Sequence, residues 1–245
     1  MTQDTNTSRR AFLAAAGATA GLALAPGVTL FAPARAHSDV VGHTKVRWGM
    51  LIDINQLEDG GAAAVAACAK ENGWQAQPGS SAPGNITDAQ WIRTVKVTNP
   101  ATKTVKTLPM MCQHCAEPPC VDVCPTGASM KRDNGIVLVD KHICIGCRYC
   151  ILACPYGARS FVHEPVTGQR DHAPRGKGTV EGCTMCVHRI DTDRQPACAE
   201  AEPSIIFGDL NDPDSEISKR VAAFPTSQIR TDFGTEPGVY YRGLG

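Results

Sequence analysis

The chain has 245 residues and a formal net charge of zero, with 24 basic and 24 acidic side chains, so it lacks the basic excess expected for a nucleic-acid partner. It combines 23 Gly, 17 Pro and 12 Cys with only 5% aromatic residues, and this composition offers few large side chains for a conventional core. We therefore predict one or two loop-rich domains whose folding depends largely on bound metal.

The first 36 residues are typical of an export signal rather than of folded structure. Ser8–Leu13 reads Ser-Arg-Arg-Ala-Phe-Leu and matches the twin-arginine pattern, an alanine-rich apolar run covers 11–25, and Ala34–Ala36 reads as a cleavage motif. An uncleaved membrane anchor is the alternative, but Pro26 interrupts a run already shorter than a span of about 20 residues. We predict cleavage before His37 and a periplasmic location.

The mature chain is predicted to mix short strands, one helix and long loops. The predicted elements are a strand over 46–53, a helix over 61–70, a hairpin of strands 91–98 and 102–108, and a short buried strand over 135–139. Loops are expected over 77–84 and 170–179. The segment 211–245 is predicted to be a polar tail that wraps the body or meets a partner.

Eight cysteines form two blocks, and each block places three thiols around one centre with a fourth before a proline. In two-cluster ferredoxins the fourth cysteine of each block serves the other four-iron cluster. Exchange of the fourth ligand therefore predicts two [4Fe-4S] clusters. We name their ligand sets site A, which is Cys112, Cys115, Cys120 and Cys154, and site B, which is Cys144, Cys147, Cys150 and Cys124.

The remaining four cysteines are scattered, yet the same exchange accounts for them. Cys183 and Cys186 are separated by two residues, and Cys198 follows after eleven more. If an outer pair of blocks encloses the inner pair, Cys68 is the last cysteine of an upstream block and completes this set. We name Cys68, Cys183, Cys186 and Cys198 site C, so that twelve cysteines make three clusters.

Disulfide bonds and zinc sites also produce cysteine patterns of this kind. An even number of cysteines in an exported protein is often a disulfide framework. Here, however, 12 cysteines in 245 residues lie below the roughly 8–10% that marks such scaffolds. Three-cysteine blocks with a distant fourth, and two blocks ending in Cys-Pro, favour iron-sulfur clusters over tetrahedral zinc.

The chain resembles the four-cluster electron-transfer subunits of the dimethyl sulfoxide reductase, polysulfide reductase and cytochrome nitrite reductase systems. The resemblance runs from about Arg47 to Phe207 and is carried by five motifs: Trp48-Gly-Met-Leu-Ile-Asp53, Cys112-Gln-His-Cys-Ala-Glu-Pro-Pro-Cys120, Cys124-Pro-Thr-Gly-Ala128, Gly146-Cys-Arg-Tyr-Cys150 and Cys183-Thr-Met-Cys-Val-His-Arg-Ile-Asp191. It implies an α+β fold of tandem ferredoxin-like modules with loop-rich insertions. The inner two-cluster module would cover 111–165, and the outer module 37–110 plus 166–210.

The chain departs from the family at one whole site. The family carries three more cysteines within the segment that here covers 57–67, and another where this chain has Glu202 before Pro203. In the family these four positions together hold one further cluster, so the loss is coherent. Glu58, Asp59 and Glu202 are interpreted as an acidic remnant or a surface salt bridge rather than as iron ligands, because such clusters are built on thiolates.

We therefore predict an electron-transfer subunit without substrate chemistry of its own, since no histidine shows the spacing of a catalytic triad. In the family the cluster missing here faces a molybdopterin subunit, and the site A cluster faces the membrane subunit. The loss favours a sulfur-metabolism assembly similar to the sulfite-reduction-associated (Dsr) membrane complex, with a quinone-interacting membrane subunit and a multihaem cytochrome c or other redox subunit. The alternatives are a subunit of a molybdenum reductase for polysulfide, tetrathionate or a similar oxyanion, and a stand-alone periplasmic ferredoxin or redox sensor.

Several residues beside the cysteines have plain structural interpretations. His114 is expected to be a packed or solvent-facing neighbour of site A, because its thiol set is complete without a histidine. Arg148, His188 and Arg189 either tune a nearby cluster or are simply solvated. The three tryptophans, Trp48, Trp74 and Trp91, are expected in the core.

Overall fold

The computed structural model describes residues 46–74, 89–99 and 102–244, together with two short strands nearer the start of the chain. Contacts divide the chain into two units, Met1–His43 and Thr44–Gly245. In the first unit, β1 (Leu22–Ala25) pairs antiparallel with β2 (Val28–Leu30). The twin-arginine motif, the cleavage motif and the predicted loop over 77–84 lie outside the described residues.

The second unit contains ten strands and six α-helices among the described residues, with two short 3₁₀ turns at Glu58–Gly60 and Thr231–Phe233. The elements in chain order are β3 (Trp48–Asp53), α1 (Ala62–Asn72), β4 (Ile92–Thr98), β5 (Val105–Met111), α2 (Pro119–Asp122), β6 (Ser129–Lys131), β7 (Val137–Val139), α3 (Tyr149–Leu152), β8 (Arg159–Phe161), β9 (Val180–Gly182), α4 (Val187–Ile190), α5 (Ala197–Ala201), β10 (Ile205–Asp209), α6 (Glu216–Ala223), β11 (Thr226–Ser227) and β12 (Val239–Arg242). The predicted strand, helix and hairpin are thus confirmed with shifts of a few residues.

A four-stranded sheet in the order β10-β3-β12-β11 organises the core. Strand β3 pairs antiparallel with β10 and parallel with β12, and Met50, Leu51 and Ile52 are almost fully buried. Such a run of apolar residues is typical of a strand covered on both faces. The other described strands of this unit form three separate hairpins, β4-β5, β6-β7 and β8-β9.

Helix α1 carries the isolated cysteine into the core. Its alanine-rich sequence favours helix, and it ends at Gly73, which adopts the left-handed conformation with φ of 66° and donates to the carbonyl of Ala69. Ala64, Cys68 and Asn72 recur at intervals of four and are all buried, so one face of the helix is directed inward. Helix α1 packs mainly against α5.

The prediction of a polar tail over 211–245 is wrong. Strand β12 lies inside the four-stranded sheet, and both Val239 and Tyr241 are completely buried. Helix α6 packs its buried Ile217 against β10 near Gly208. The segment is polar on average, but its few apolar residues alternate in β12 and supply a neighbour for β3, a pairing that hydropathy alone does not reveal.

The one-turn helices α2, α3 and α4 each begin beside or within a cysteine block, so the thiols are carried mainly by loops and single turns. No helix within the described ranges is both long and apolar enough to cross a bilayer. The unit Thr44–Gly245 is one compact body, and its division into inner and outer modules stays a prediction.

Candidate functional site

All twelve cysteines are free thiols. They collect into groups despite their separation along the chain, because hairpins and single turns fold the blocks back on one another. The groups differ mainly in how deeply their sulfur atoms are buried.

The site A cysteines line one pocket, together with apolar and proline side chains. The four thiols are Cys112, Cys115, Cys120 and Cys154. Burial raises the pKa of Cys112 to about 12, although the nearby Arg159 charge opposes the shift. A thiol with such a pKa is protonated at neutral pH, so Cys112 becomes a thiolate only when it binds a metal.

The site C thiols meet where α1 and α5 pack. Cys68, Cys183 and Cys198 belong to the main hydrophobic core, and Cys186 is also buried. Burial raises the pKa of Cys68, and the Cys198 and Cys186 thiols raise it further. Cys68 and Cys198 lie on the two helices that pack together, α1 and α5, and share one buried cluster with Cys183. Burial raises the pKa of Cys183 as well, followed by the charge of Cys68. The isolated cysteine is therefore beside the downstream group.

Nitrogen donors surround the sulfur of Cys68. The indole Nε1 of Trp74 donates to its Sγ over 3.3 Å, and Asn72 Nδ2 donates over 3.6 Å. Both donors follow Cys68 within six residues: Asn72 is the last residue of helix α1, and Trp74 comes directly after Gly73, where the helix ends. N–H donors to sulfur stabilise a thiolate and raise the reduction potential of a cluster that the thiolate holds.

Site B is the most exposed group. Cys147 is exposed, Cys124 and Cys144 are half-buried, and Cys150 is buried. The backbone N–H of Ser129 donates to Cys124 Sγ over 3.3 Å. Burial opposes a low pKa at Cys124, but this hydrogen bond and those of Thr126 lower the pKa below its ordinary value.

The first C-x-x-C loop of each cysteine block, at Cys112–Cys115, Cys144–Cys147 and Cys183–Cys186, shares one backbone feature. The residue before the second cysteine is left-handed in each: His114 with φ of 42°, Gly146 with φ of 71° and Met185 with φ of 53°. At Gly146 a Cβ would lie only 2.1 Å from the carbonyl oxygen of Gly178, so no larger residue fits there without movement. Repetition at three sites indicates a common loop shape that turns both thiols toward one centre.

Site A lies between the other two. Cys112 of site A and Cys183 of site C line a second pocket. On the other side, Cys120 of site A and Cys150 of site B belong to one small buried cluster. The sites therefore follow one another in the order C, A, B.

The C-terminal segment covers site A. The backbone N–H of Ala116 donates to the carbonyl of Glu236 over 3.0 Å, and that of Gly238 donates to the carbonyl of Gln113 over 2.7 Å. The buried hydroxyl of Tyr156 bonds that of Thr235. That the site A cluster faces the membrane subunit stays a prediction.

An apolar surface surrounds site B. Leu152 is 83% exposed and Ile145 is 67% exposed, which is unusual for large apolar side chains. We name this the site B patch, and its residues are Val123, Ile143, Ile145, Tyr149 and Leu152. Beyond the patch, the other large apolar side chains exposed within the described ranges are Val97, Val105, Phe224 and Phe233.

The surface next to site C is polar. Glu71 accepts a hydrogen bond from His188 over 2.8 Å and lies 3.6 Å from Arg189, which also pairs with Glu200. His172 stacks on His188 with ring centroids 3.7 Å apart. The hydrogen bond from His188 lowers the pKa of Glu71. His188 and Arg189 thus take part in one network of ion pairs. Arg148, by contrast, is exposed and lies over the ring of Phe161.

The acidic residues in the segments where the family carries additional cysteines differ in burial. Glu58 and Asp59 are exposed in the first 3₁₀ turn. Glu202 is buried, and its Oε1 accepts hydrogen bonds from the N–H and hydroxyl of Ser204 over 3.3 and 2.7 Å. A surface salt bridge at Glu202 is therefore the wrong interpretation, because the end of α5 is turned inward beside β10.

The region that lacks cysteines is filled by protein. Ala64 is completely buried, and a Cβ on Gly61 would lie 3.1 Å from Pro109 Cγ. A Cβ on Gly60 would lie 2.5 Å from Thr107 Cγ2. The β4-β5 hairpin thus packs directly on the segment where the family carries its first three ligands.

His114 and the tryptophans have structural roles. His114 is buried, its Nδ1 accepts from the Val137 N–H over 3.0 Å, and burial followed by the Arg159 charge lowers its pKa to about 3. The prediction of a packed histidine is thus confirmed, and the solvent-facing alternative is wrong. Trp74 and Trp91 are buried, whereas Trp48 is only partly buried and stacks on Phe207.

Sequence reasoning missed Arg159. Its guanidinium is buried and donates from Nη2 to Cys120 Sγ over 3.1 Å and to Ser129 Oγ over 2.9 Å. Burial tends to lower its pKa, but the charges of Cys120, Cys112 and Cys150 raise it above the ordinary value. The signal that could have found it is its position five residues after Cys154, directly behind a cysteine block.

The donor chemistry fits iron-sulfur clusters. Such clusters use four thiolates, are tuned by N–H donors to sulfur, and tolerate burial. Site C supplies four buried thiols, site A two buried and two half-buried thiols, and site B a set that includes one exposed thiol. Hard cations prefer oxygen ligands, which these three groups do not offer.

Comparison with known proteins identifies the family. A model of the 4Fe-4S dicluster domain matches residues 103–208. The chain is 38% identical to the Hdr-like menaquinol oxidoreductase iron-sulfur subunit 1 of Archaeoglobus fulgidus, covering 97% of this chain and 98% of the relative. It is 36% identical to a subunit of the tetrathionate reductase of Salmonella typhimurium, covering 98% and 89%, and 48% identical to a putative dimethyl sulfoxide reductase iron-sulfur subunit of Halobacterium salinarum, covering 54% and 53%. The chain therefore belongs to the family of [4Fe-4S] electron-transfer subunits of the dimethyl sulfoxide reductase type, and it is an electron carrier rather than a catalytic subunit.

Proposed function

We propose that this protein relays electrons through three [4Fe-4S] clusters, held at sites C, A and B, between a soluble redox partner and a quinone-interacting membrane subunit. The observation that carries the proposal is the row of three thiol groups, with one pocket between sites C and A and one buried cluster of side chains between sites A and B. Each cluster, when bound, accepts and releases one electron. The residues of this chain hold the row, exclude water and supply N–H donors to sulfur.

Three clusters rather than four agree with the packing of the degenerate block. Gly61 and Ala64 offer no side-chain ligand, and Pro109 and Thr107 occupy the space that ligating side chains would need. Glu202 is satisfied by Ser204. These contacts support the loss of one complete site.

The count is tested by composition. Protein purified anaerobically should contain about 12 iron and 12 sulfide per chain. A count near 16 iron would show that the degenerate block still holds a cluster, and a count near 8 would remove site C from the scheme.

The membrane subunit is proposed to dock on the site B patch. The patch surrounds the one exposed ligand, Cys147, and apolar side chains as exposed as Leu152 are the usual mark of a contact surface. A partner in contact with Cys147 would need no intervening protein layer for electron transfer. This placement is an alternative to the expected contact at site A, which the C-terminal segment covers.

The soluble partner is proposed to approach the polar surface beside site C. A multihaem cytochrome c in a sulfur-metabolism complex is the favoured occupant, because full-length similarity extends to a menaquinol oxidoreductase subunit and the site that would face a molybdopterin subunit is filled by protein. A molybdopterin partner is the second candidate, because similarity to a tetrathionate reductase subunit is nearly as high. Pull-down of the tagged native protein, followed by haem staining and molybdenum analysis, separates the two.

We further propose export to the periplasm by the twin-arginine route. The support is the sequence Ser8–Leu13 and the need to insert clusters before transport. Replacing Arg9 and Arg10 together by Lys should leave cluster-containing precursor in the cytoplasm, as measured by fractionation and immunoblotting. Undiminished periplasmic accumulation of that variant would exclude this route.

A further inference from the structure

The buried guanidinium of Arg159 lies beside site A and lines the pocket that sites A and C share. Arg159 opens strand β8 and is 7% exposed, and its Nη2 lies 3.1 Å from Cys120 Sγ of site A. The same side chain lines the site A pocket and the pocket shared by Cys112 and Cys183. Its Nη1 has no hydrogen-bond partner among the described residues. A buried guanidinium facing thiols, with no carboxylate bound to it in the described part of the chain, is uncommon because buried charges are normally paired.

The backbone holds this arginine in place. Arg159 pairs with Gly182 across the β8-β9 hairpin, and a Cβ at Gly182 would lie 2.8 Å from the carbonyl oxygen of Ala158. The hydroxyl of Ser129, at the start of β6, fixes the guanidinium from the other side over 2.9 Å. Ser129 also donates its backbone N–H to Cys124 of site B. One small contact therefore joins ligands of both inner sites through Arg159 and Ser129.

We infer that Arg159 is a positioning residue that raises the reduction potentials of the two inner clusters, most strongly at site A, and so makes the middle of the row the preferred place for an electron. This inference rests on the proposed function. A reduced cluster carries one more negative charge than the oxidised cluster, so a fixed cation beside it stabilises the reduced form. The effect is strong where water is excluded, and the N–H···S bond to Cys120 adds to it.

The central variant is Arg159→Met, which keeps much of the volume and removes the charge. At a fixed solution potential, the ratio of oxidised to reduced cluster at site A should rise about tenfold, which is about 59 mV for a one-electron couple. The shift should be smaller at site B, whose Cys124 is linked to Arg159 through Ser129, and at site C, whose cysteines make no hydrogen bond with its guanidinium. Redox titration followed by electron paramagnetic resonance measures the three potentials. Cys68→Ser assigns the site C signal and Cys147→Ser the site B signal.

Three further variants separate charge from shape. Arg159→Lys keeps the charge and should recover most of the shift. Ser129→Ala keeps the arginine but removes one of the two hydrogen bonds of its guanidinium. We expect a smaller shift of the reduction potentials, again largest at site A. Arg132→Met removes an arginine that pairs with Asp191 on the surface and should leave all three potentials unchanged.

A purely structural role predicts a different result. It would lower iron content or thermal stability while leaving the potentials of intact protein unchanged, or would shift all three equally. Either pattern overturns the inference, and so do equal shifts of the reduction potentials in Arg159→Met and Arg159→Lys. The proposed relay is not affected by these results, because the iron count tests it separately. If Arg159→Met does not assemble, Ser129→Ala alone decides, because unchanged potentials in that variant contradict the inference.

Discussion

Sites B and C, each a predicted set of four thiols, lie in opposite surroundings. The site B cysteines come from 124–150 and lie on loops and single turns. One of them, Cys147, is exposed beside the site B patch. The site C cysteines come from 68–198, are all buried, and lie beneath a network of charged side chains. A site made within one short segment can remain at the surface, whereas a site made from distant segments is enclosed by the packing that brings them together. Burial here follows from chain topology.

The largest effect is expected for Cys68→Ser, which tests whether site C is a cluster site made from distant segments. If Cys68 completes site C, iron should fall from about 12 to about 11 for a three-iron cluster, or to about 8 for complete loss, while the spectra of sites A and B persist. Electron exchange with the soluble partner should slow more than exchange with the membrane subunit. Iron analysis and electron paramagnetic resonance make the measurement.

Ala66→Ser is the matched control, because it places a hydroxyl on the exposed face of the same helix. It should keep the full iron content. An ordinary buried thiol at Cys68 would give an unchanged three-cluster spectrum in Cys68→Ser and only a small packing effect, and this result would contradict the ligand scheme for site C.

The opposite end is tested by placing charge on the site B patch. Ile145→Glu and Leu152→Glu should each weaken association with native membranes by about 2 kcal/mol, because buried apolar side chains commonly dominate such contacts. The fraction of protein that copurifies with detergent-solubilised membrane complexes reports the change, and iron content should be unaffected. Val105→Glu, at an exposed apolar residue on the β4-β5 hairpin, is the control. Equal retention of all three variants would move the docking surface elsewhere.

The smallest expected effect concerns the helix that carries Cys68. Gly73→Ala should lower the free energy of unfolding by about 1 kcal/mol, because alanine is strained at φ of 66°. Thermal unfolding of the cluster-containing protein measures it. Gly176→Ala is the control, since its φ is ordinary and the nearest contact of a Cβ is 3.7 Å away. A loss at Gly73 no larger than that at Gly176 would show that the helix end contributes little.

Sequence reasoning located the thiol blocks and several elements, because cysteine spacing and local periodicity are short-range signals. It placed a strand, an alanine-rich helix and a hairpin within a few residues of β3, α1 and β4-β5. The grouping of cysteines into sites A, B and C stays a prediction, which the spectra of Cys68→Ser test for site C.

Long-range features could not be predicted. Strand β12 is apolar only at alternate positions, and its partner β3 lies nearly two hundred residues earlier in the chain. Glu202 looked like a surface acid because its burial depends on the inward turn of α5. Arg159 is ordinary in sequence and becomes notable only when Cys120 and Ser129 converge on it. Each depends on tertiary contacts between segments that carry no mutual signal.

The position of β12 in the sheet determines when the core can form during synthesis. Both strands that flank β3 come from residues after Ser204, so a nascent chain must wait for late segments before its first core strand has neighbours. We therefore expect the sheet to close only when residues through Arg242 have left the ribosome, and the loop around Cys115 to be sealed at the same stage. Truncation before Val239 would leave β3 with one edge open and should sharply lower the yield of folded protein.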